Sequence, residues 1–350
     1  MKIAHLGYVA NVAYFLCWAM NKYYGYEGVV YQPNKPINLA TQKVIYGYES
    51  GNPLKVDLIY YDVSSKIKRD LDILLLQKDD FDVIHLHEGG YFSGSLMAKM
   101  SGAKVIRHYH GSDLRKSSNK PLKALLRACY KLLGEDRILV STVDLLNYVH
   151  GSNAKKRAEL LPNPVDPLIQ KCRNDKEEAI VFLPTRHDEL DKKTSIAFKA
   201  WKKLRKLNRE AILVTIEWGR NYHVFKNIFK NDKNVRWLPP LNRVEYVSML
   251  ERSAVVWGQF HLRMLGLSEL EAFAARKPLS AYIDYDSYPG LPPSTLLGSP
   301  SPIEMASETA LLLKDPDRRR AESLKFHEWV MKRHGAKNIA RSLNQIYKNL

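Results

Sequence analysis

Cysteine is scarce: the 350 residues hold three, Cys17, Cys129 and Cys172, far apart and with no CxxC pair. That spacing supports neither a disulfide framework nor a cysteine-based zinc site and predicts a reducing compartment. Long apolar runs are lacking too. No stretch of about 18 uninterrupted apolar residues occurs, which argues against a membrane-spanning helix. Met1 to Leu6 reads as a short apolar strand entering Gly7, without the charged start and long apolar run of a secretory leader. A cytoplasmic protein is the expectation. Acidic residues are in deficit, 37 against 54 Lys and Arg, so the chain carries +17. Such a charge attracts phosphates, nucleic acid or an anionic membrane surface. No fixed-period repeat, RNP, KH, zinc-finger or helix-turn-helix signature accompanies it, so nucleic acid is not an expected partner.

What is present is a globular composition, 45% apolar and 26% charged, in a chain too long for one core at the usual ~100 to 200 residues per domain. Short β-rich runs alternate with helix-like stretches: Lys2 to Leu6, Val29 to Tyr31, Leu58 to Tyr61, Val83 to Leu86, Val105 to His108 and Ile138 to Ser141. Amphipathic segments such as Ser65 to Gln77 and Leu122 to Leu133 lie between them, the alternation of a doubly wound parallel sheet. Leu161 to Lys176, with Pro162, Pro164 and Pro167, punctuates the chain as a linker. A second alternation follows, with strands at Ala179 to Leu183, Ala211 to Ile216, Val235 to Leu238, Ala254 to Trp257 and Leu279 to Ile283. Helices are expected from Lys193, Arg243 and Ser268. The expected organisation is residues 1–163, residues 164–324, and a C-terminal helix over 325–350. Two open α/β domains in tandem form a crevice at the C-terminal ends of their strands.

The segment from Arg263 to Pro278 follows a strand and opens a helix at Gly266-Leu267-Ser268. Free amides at such a helix start, with the dipole behind them, suit a phosphate or diphosphate, and Glu271 would face the same place and bind vicinal hydroxyls. Ser268 and Glu271 also have the S-x-x-E spacing of a capping box, so Glu271 has a purely structural alternative. His110 ends a strand, where a histidine is either a satisfied structural residue or a site residue. No carboxylate and histidine set shows convincing metal-ligand spacing in the sequence.

Gly266, Glu271-Ala272 and Lys277-Pro278, with Pro162-Asn163-Pro164-Val165-Asp166, His110-Gly111-Ser112-Asp113 and Asp82-Val83-Ile84-His85-Leu86-His87, occur in the order and spacing of a family pattern. The chain resembles the GT-B glycosyltransferases of the family 4 type. The resemblance implies an α/β GT-B fold: two Rossmann-like domains facing each other across a cleft, with the C-terminal helix packing back on the N-domain. It also implies transfer of a sugar from a nucleotide-sugar donor to a glycan or lipid-linked acceptor, with retention and without a divalent metal or other cofactor. Carried over by position, the catalytic candidates are His110, Arg186 and Lys192. The donor-binding candidates are Gly7, Asp113, Lys193, Arg263, Gly266, Leu267, Ser268 and Glu271, with Glu271 as ribose ligand. Arg and Lys together suit a departing diphosphate, the first as a fork and the second as a point charge.

The departures are as definite as the matches. Arg263 stands where the first Glu of the family's Glu-x7-Glu pair falls, Leu265 stands at its aromatic, and the loop after Gly7 lacks the usual Gly-Gly. A catalytically degenerate GT-B protein is therefore the rival expectation. Between Lys104 and Lys131, eight basic residues face Asp113 alone if Lys104, Arg107, Arg115, Lys116, Lys120, Lys123, Arg127 and Lys131 are counted. Interleaved leucines make this either a peripheral contact for an anionic membrane or an ordinary amphipathic surface helix.

Overall fold

The computed structural model of the protein describes residues 1–7, 11–33, 54–61, 66–75, 80–87, 92–115, 134–169, 172, 177–298 and 301–350, excepting the side chains of 66–69, 92, 112 and 113. Two compact units result, Met1–Pro164 with His334–Leu350, and Val165–Arg333.

In the first unit a seven-stranded sheet has the order β3-β2-β1-β4-β5-β6-β7. Its strands are β1 (Lys2–Leu6), β2 (Glu27–Pro33), β3 (Asp57–Tyr61), β4 (Val83–His87), β5 (Lys104–Tyr109), β6 (Arg137–Val140) and β7 (Ala158–Leu160). All pairings are parallel. Helices α1 (Val12–Tyr24), α2 (Lys66–Leu75) and α3 (Phe92–Ser101) intervene, with short α4 (Ser112–Arg115) and α5 (Ser152–Lys156). Every residue of β4 is buried, as expected for a parallel strand covered on both faces. α1 stops at Gly25, whose φ of 65° is the left-handed cap that glycine adopts without a Cβ penalty.

In the second unit the order is β10-β9-β8-β11-β12, again all parallel. The strands are β8 (Ile180–Leu183), β9 (Ile212–Ile216), β10 (Val235–Leu238), β11 (Val255–Trp257) and β12 (Leu279–Ser280). The helices are α6 (Ser195–Leu207), α7 (Tyr222–Ile228), α8 (Arg243–Arg252), α9 (Leu267–Ala274), α10 (Pro302–Lys314) and α11 (Pro316–His334), with α12 (Ala336–Lys348) back in the first unit. Period-two alternation splits β8 between two cores: Ile180 and Phe182 join one, Val181 and Leu183 the other. Both sheets reverse their strand order once, between β1 and β4 and between β8 and β11. In this architecture ligands bind outside the strand ends at that reversal.

Several expected boundaries shift for identifiable reasons. The segment joining the first unit begins at His334 rather than Lys325, because Phe326, Trp329 and Val330 of α11 are buried in the second unit's core. α12 buries Ile339, Leu343, Ile346 and Tyr347 and packs on α1, and Tyr26 Oη donates to Asn344 Oδ1 at 2.5 Å. α6 starts at Ser195, two residues late, since Lys193 has a left-handed φ of 48°. β7 and α7 carried no usable pattern: β7 is three residues without a buried side chain, and α7 buries Phe225 alone. Leu122 to Leu133 lies outside the described residues. Among the described residues no helix is long and apolar enough to cross a membrane.

Candidate functional site

At the reversal point of the second sheet, β8 runs on through Pro184-Thr185-Arg186-His187-Asp188. His187 turns inward: it is fully buried, its ring lies 5.5 Å from Phe198 and 5.4 Å from Trp237, and Nε2 is 2.9 Å from Thr215 Oγ1. Burial lowers its pKa to about 4. Arg186 stays 42% exposed, with Nη2 donating to Asp191 Oδ2 at 3.1 Å. Gly219, at φ +99°, presses on this corner so closely that a Cβ would lie 2.4 Å from the His187 carbonyl oxygen. The buried Asp188 carboxylate accepts the amides of Leu190 and Asp191 at 3.1 and 3.2 Å. Its carbonyl accepts the amides of Lys192 and Lys193. This tight turn aims the chain at β11.

The two loops meet there. Lys192 Nζ donates to Gln259 Oε1 at 2.8 Å, and the Phe260 amide donates to the Lys192 carbonyl at 3.0 Å. Gln259 Nε2 donates to the Met264 carbonyl. Glu269, itself buried, accepts the amide of Gln259 on one oxygen (3.0 Å) and that of Gly266 on the other (2.9 Å). Glu269 rather than Glu271 therefore reaches back over the start of α9, because Gly266 is the N-cap and Glu269 the third helical residue. The Ser268–Glu271 capping box, the structural alternative for Glu271, does not form in this register. Leu267 and Ser268 precede the first intrahelical bond, from the Leu270 amide to the Gly266 carbonyl, and their amides carry the positive end of the helix dipole.

Glu271 lies in a buried charged network. Arg243 Nη2 donates to Glu271 Oε1, and Arg243 Nε donates to Asp166 Oδ2 at 2.6 Å; all three side chains are almost wholly buried. The Arg243 guanidinium sits 5.0 Å from the Tyr246 ring centroid. Burial raises the Glu271 pKa, against the opposing pull of Arg243. Asp166 came from the linker motif, but Arg243 was not singled out; the Asn242-x-x-Glu245 capping box that fixes α8 marks the first turn on which it stands. Lys277, from the same family segment as Glu271, is fully buried and donates to Glu177 Oε1 at 2.7 Å and the Glu251 carbonyl at 3.0 Å, a lock between strand and helix ends.

Arg263 has φ 57° and is 52% exposed. Its Nη2 donates to Asp284 Oδ1 at 3.2 Å, its guanidinium lies 5.2 Å from the Tyr282 ring centroid, and its carbonyl accepts the Asp284 amide. Lys193 is exposed. In this unit, then, Lys192, Gly266, Leu267 and Ser268 are connected through Gln259 and Glu269, while Arg263 rests on Asp284 and Glu271 on Arg243.

Gly7, His110 and Asp113 belong to the first unit. Gly7 ends β1 at φ +128°, and a Cβ there would lie 2.7 Å from the His87 carbonyl oxygen, so β1 and β4 approach at their reversal point as only glycine permits. His110, partly buried, follows β5 with Nδ1 3.0 Å from Asn163 Oδ1. Asp113 stands on α4. His110 is one end of a ladder that spacing along the sequence did not reveal. His5, His85, His87 and His108 are fully buried, with His5 paired to His85 and His87 to His108 in the strand register. Neighbouring rings lie at centroid distances from 4.2 Å (His108–His110, tilted) to 5.6 Å (His87–His108, tilted), with His85 and His87 stacked at 4.4 Å. Burial lowers the pKa of each of the four. In the basic stretch after β4, Lys104 pairs with Asp136, Arg107 with Glu135 and Arg115 with Asp144. Lys116, Lys120, Lys123, Arg127 and Lys131 lie outside the described residues.

Residues 9–167 match the model of Glycosyltransferase Family 4. No curated protein matches the sequence significantly. Among solved structures, HepE from Anabaena in complex with UDP-glucose is similar over all of both chains, with a TM-score of 0.70 and 12% identity. Sucrose-phosphate synthase from Thermosynechococcus elongatus gives 0.66 at 14% identity, covering 100% of this chain and 98% of that one. UDP-GlcNAc 2-epimerase from Neisseria meningitidis bound to UDP-GlcNAc gives 0.62 at 11%, over all of both chains. Residues 9–167 thus carry a match to Glycosyltransferase Family 4, and the chain as a whole shares the α/β GT-B fold of these solved structures.

Proposed function

We propose that the chain is a glycosyltransferase using a nucleotide-sugar donor whose diphosphate binds the second unit at the β8–β11 reversal. The observation that carries this is the Lys192–Gln259 bridge beside the N-terminus of α9. As the glycosidic bond to the donor breaks, negative charge grows on the leaving diphosphate, and preorganised cations and amides there lower the barrier. Lys192 supplies a point charge, the amides of Leu267 and Ser268 supply dipoles, and the half-exposed Arg186 supplies a fork able to exchange Asp191 for phosphate oxygens. Glu271, oriented by Arg243, is the ribose ligand of this proposal. The UDP and UDP-glucose complexes of HepE make uridine donors the first to test. Retention without a divalent metal at the donor, and a glycan or lipid-linked acceptor, belong to the same proposal. So do a cytoplasmic setting and peripheral contact with an anionic membrane through the basic stretch after β4.

A second reading, nucleotide binding without transfer, is favoured by Arg263, a cation paired with Asp284 at the position of the family's first carboxylate. The fold does not decide between them, since an epimerase shares it. A nucleotide-sugar panel read by both thermal shift and nucleotide release separates the readings. Release dependent on an acceptor supports the transferase; stabilisation without release across a broad acceptor screen supports the second reading. Absence of both responses removes the donor-site proposal.

A further inference from the structure

We propose that His87, His108 and His110 form a three-histidine site for a divalent cation of the zinc class in the first unit. β4 and β5 are adjacent and parallel, and His87 and His108 are register partners, so the His-x-His at 85–87 and the His-x-His at 108–110 present imidazoles to one face of the sheet. One ring nitrogen from each of His87, His108 and His110 lies within 4.8 Å of the others. His87 Nδ1 and His110 Nε2 are 3.1 Å apart. Two Zn–N bonds of about 2.0 to 2.1 Å meeting near the tetrahedral angle hold their nitrogens roughly 3.3 Å apart, so this pair needs little movement to share an ion.

The opposite nitrogens are already engaged. His87 Nε2 is 3.1 Å from His5 Nδ1, His108 Nε2 is 3.2 Å from the Leu161 carbonyl oxygen, and His110 Nδ1 is 3.0 Å from Asn163 Oδ1. A metal-bound histidine characteristically donates its outer N–H to such an acceptor, which fixes the tautomer and orients the ring. With protons on those outer positions, the lone pairs fall on His87 Nδ1, His108 Nδ1 and His110 Nε2. His108 Nδ1 is buried without a hydrogen-bond partner among the described residues. Burying an imidazole nitrogen unpaired is unfavourable, and a cation bound there removes that penalty. Three ligands leave a fourth position for water. A competing set, His5, His85 and His87, also brings nitrogens within 4.8 Å, but all three rings are fully buried, whereas partly exposed His110 gives the first set access from solvent.

The test starts from the full chain stripped with a chelator and shown metal-free by elemental analysis. Added Co2+ should saturate at one ion per chain with the intense visible d–d absorption of a tetrahedral site, and Zn2+ should displace it. Zinc should raise the melting temperature of the wild type. His108→Gln and His110→Gln should each weaken binding by about 10- to 100-fold or more, while His85→Gln, outside the set, leaves it intact. If the histidine variants do not fold, X-ray absorption at the zinc edge of the wild type counts imidazole ligands directly. A folded wild type that leaves Co2+ octahedral, a count below three imidazoles, or binding lost in His85→Gln and kept in His108→Gln overturns the proposal.

Discussion

Glu271 accepts a hydrogen bond from Arg243 with both side chains buried, and the same guanidinium also holds Asp166 at 2.6 Å. Two buried carboxylates share this cation, and removing it takes from both a charged partner that offsets the cost of their burial. Arg243→Met is expected to destabilise the chain by about 3 to 5 kcal/mol, measured by urea denaturation. Glu271→Gln keeps the shape and an oxygen that accepts from Arg243, so stability should change by less than ~1 kcal/mol. Nucleotide affinity should nevertheless fall about 10- to 100-fold by calorimetry if the carboxylate binds ribose. Large unfolding of Glu271→Gln with unchanged nucleotide binding would make Glu271 a structural residue only.

Much of this network was half legible. Asp166 stood out in its Pro-rich segment and Glu271 in its Glu-Ala motif, but Arg243 joins them from 77 and 28 positions away, separations that no local pattern reports. The helix start at Gly266 is visible in the sequence, but the capping box offered there as an alternative, Ser268 with Glu271, lies two residues beyond the true one. Extended backbone at Gly266 (ψ 179°) makes it the N-cap, which puts Glu269 in reach of its amide. Strand alternation foretold both sheets because parallel strands buried on two faces are plain apolar runs. The histidine ladder was hidden for the opposite reason. His-x-His alternation shows which face each strand presents, but only the order β1-β4-β5 brings residues 5, 85, 87, 108 and 110 together.

Lys192 bridges two loops through Gln259, yet it sits where a diphosphate would arrive. Lys192→Ala should weaken binding of a nucleoside diphosphate about 10- to 100-fold, roughly 1.4 to 2.8 kcal/mol. The melting temperature should move little, because the loops stay joined by the Phe260 amide and the Gln259–Glu269 bond. Calorimetric titration at low and high salt checks this, with a smaller salt dependence in the variant. Unchanged affinity removes Lys192 from the donor site.

His187 makes the second unit sensitive to acid. Its folded pKa, lowered by burial, is about 4 against an ordinary 6.5. Between these pH values the unfolded chain binds the proton and the folded chain does not, so stability falls as pH falls. The contribution is complete above pH 6.5 and lost by about pH 4, on the order of 3 kcal/mol at 1.36 kcal/mol per pKa unit. The buried histidines of the first unit act with the same sign. Comparing wild type with His187→Leu isolates this ring: urea melts from pH 7 to 4.5 should show a shallower loss in the variant. Parallel curves would mean that His187 is not held neutral.

Arg263 is the place where the chain departs from the family pattern it resembles and where the alternatives separate most sharply. Its pairing with Asp284 is half exposed, so the ion pair itself is worth about 0 to 1 kcal/mol. Its backbone, at φ 57°, is a conformation that few non-glycine residues adopt, and the substitution Arg263→Glu leaves that strain as it was. The variant faces Asp284 with a like charge that solvent screens, so stability should drop by no more than about 1 kcal/mol. Donor binding is the informative measurement. If Arg263 leaves Asp284 to contact the diphosphate or an acidic sugar, Arg263→Glu should weaken the donor about 10-fold or more and make the loss worse at low salt. If the exposed pair is all that Arg263 makes, affinity and turnover stay at the wild-type level. Turnover that emerges only in the Glu variant assigns the natural chain to binding without transfer, because a carboxylate restored at that one position would then be the part the site lacked.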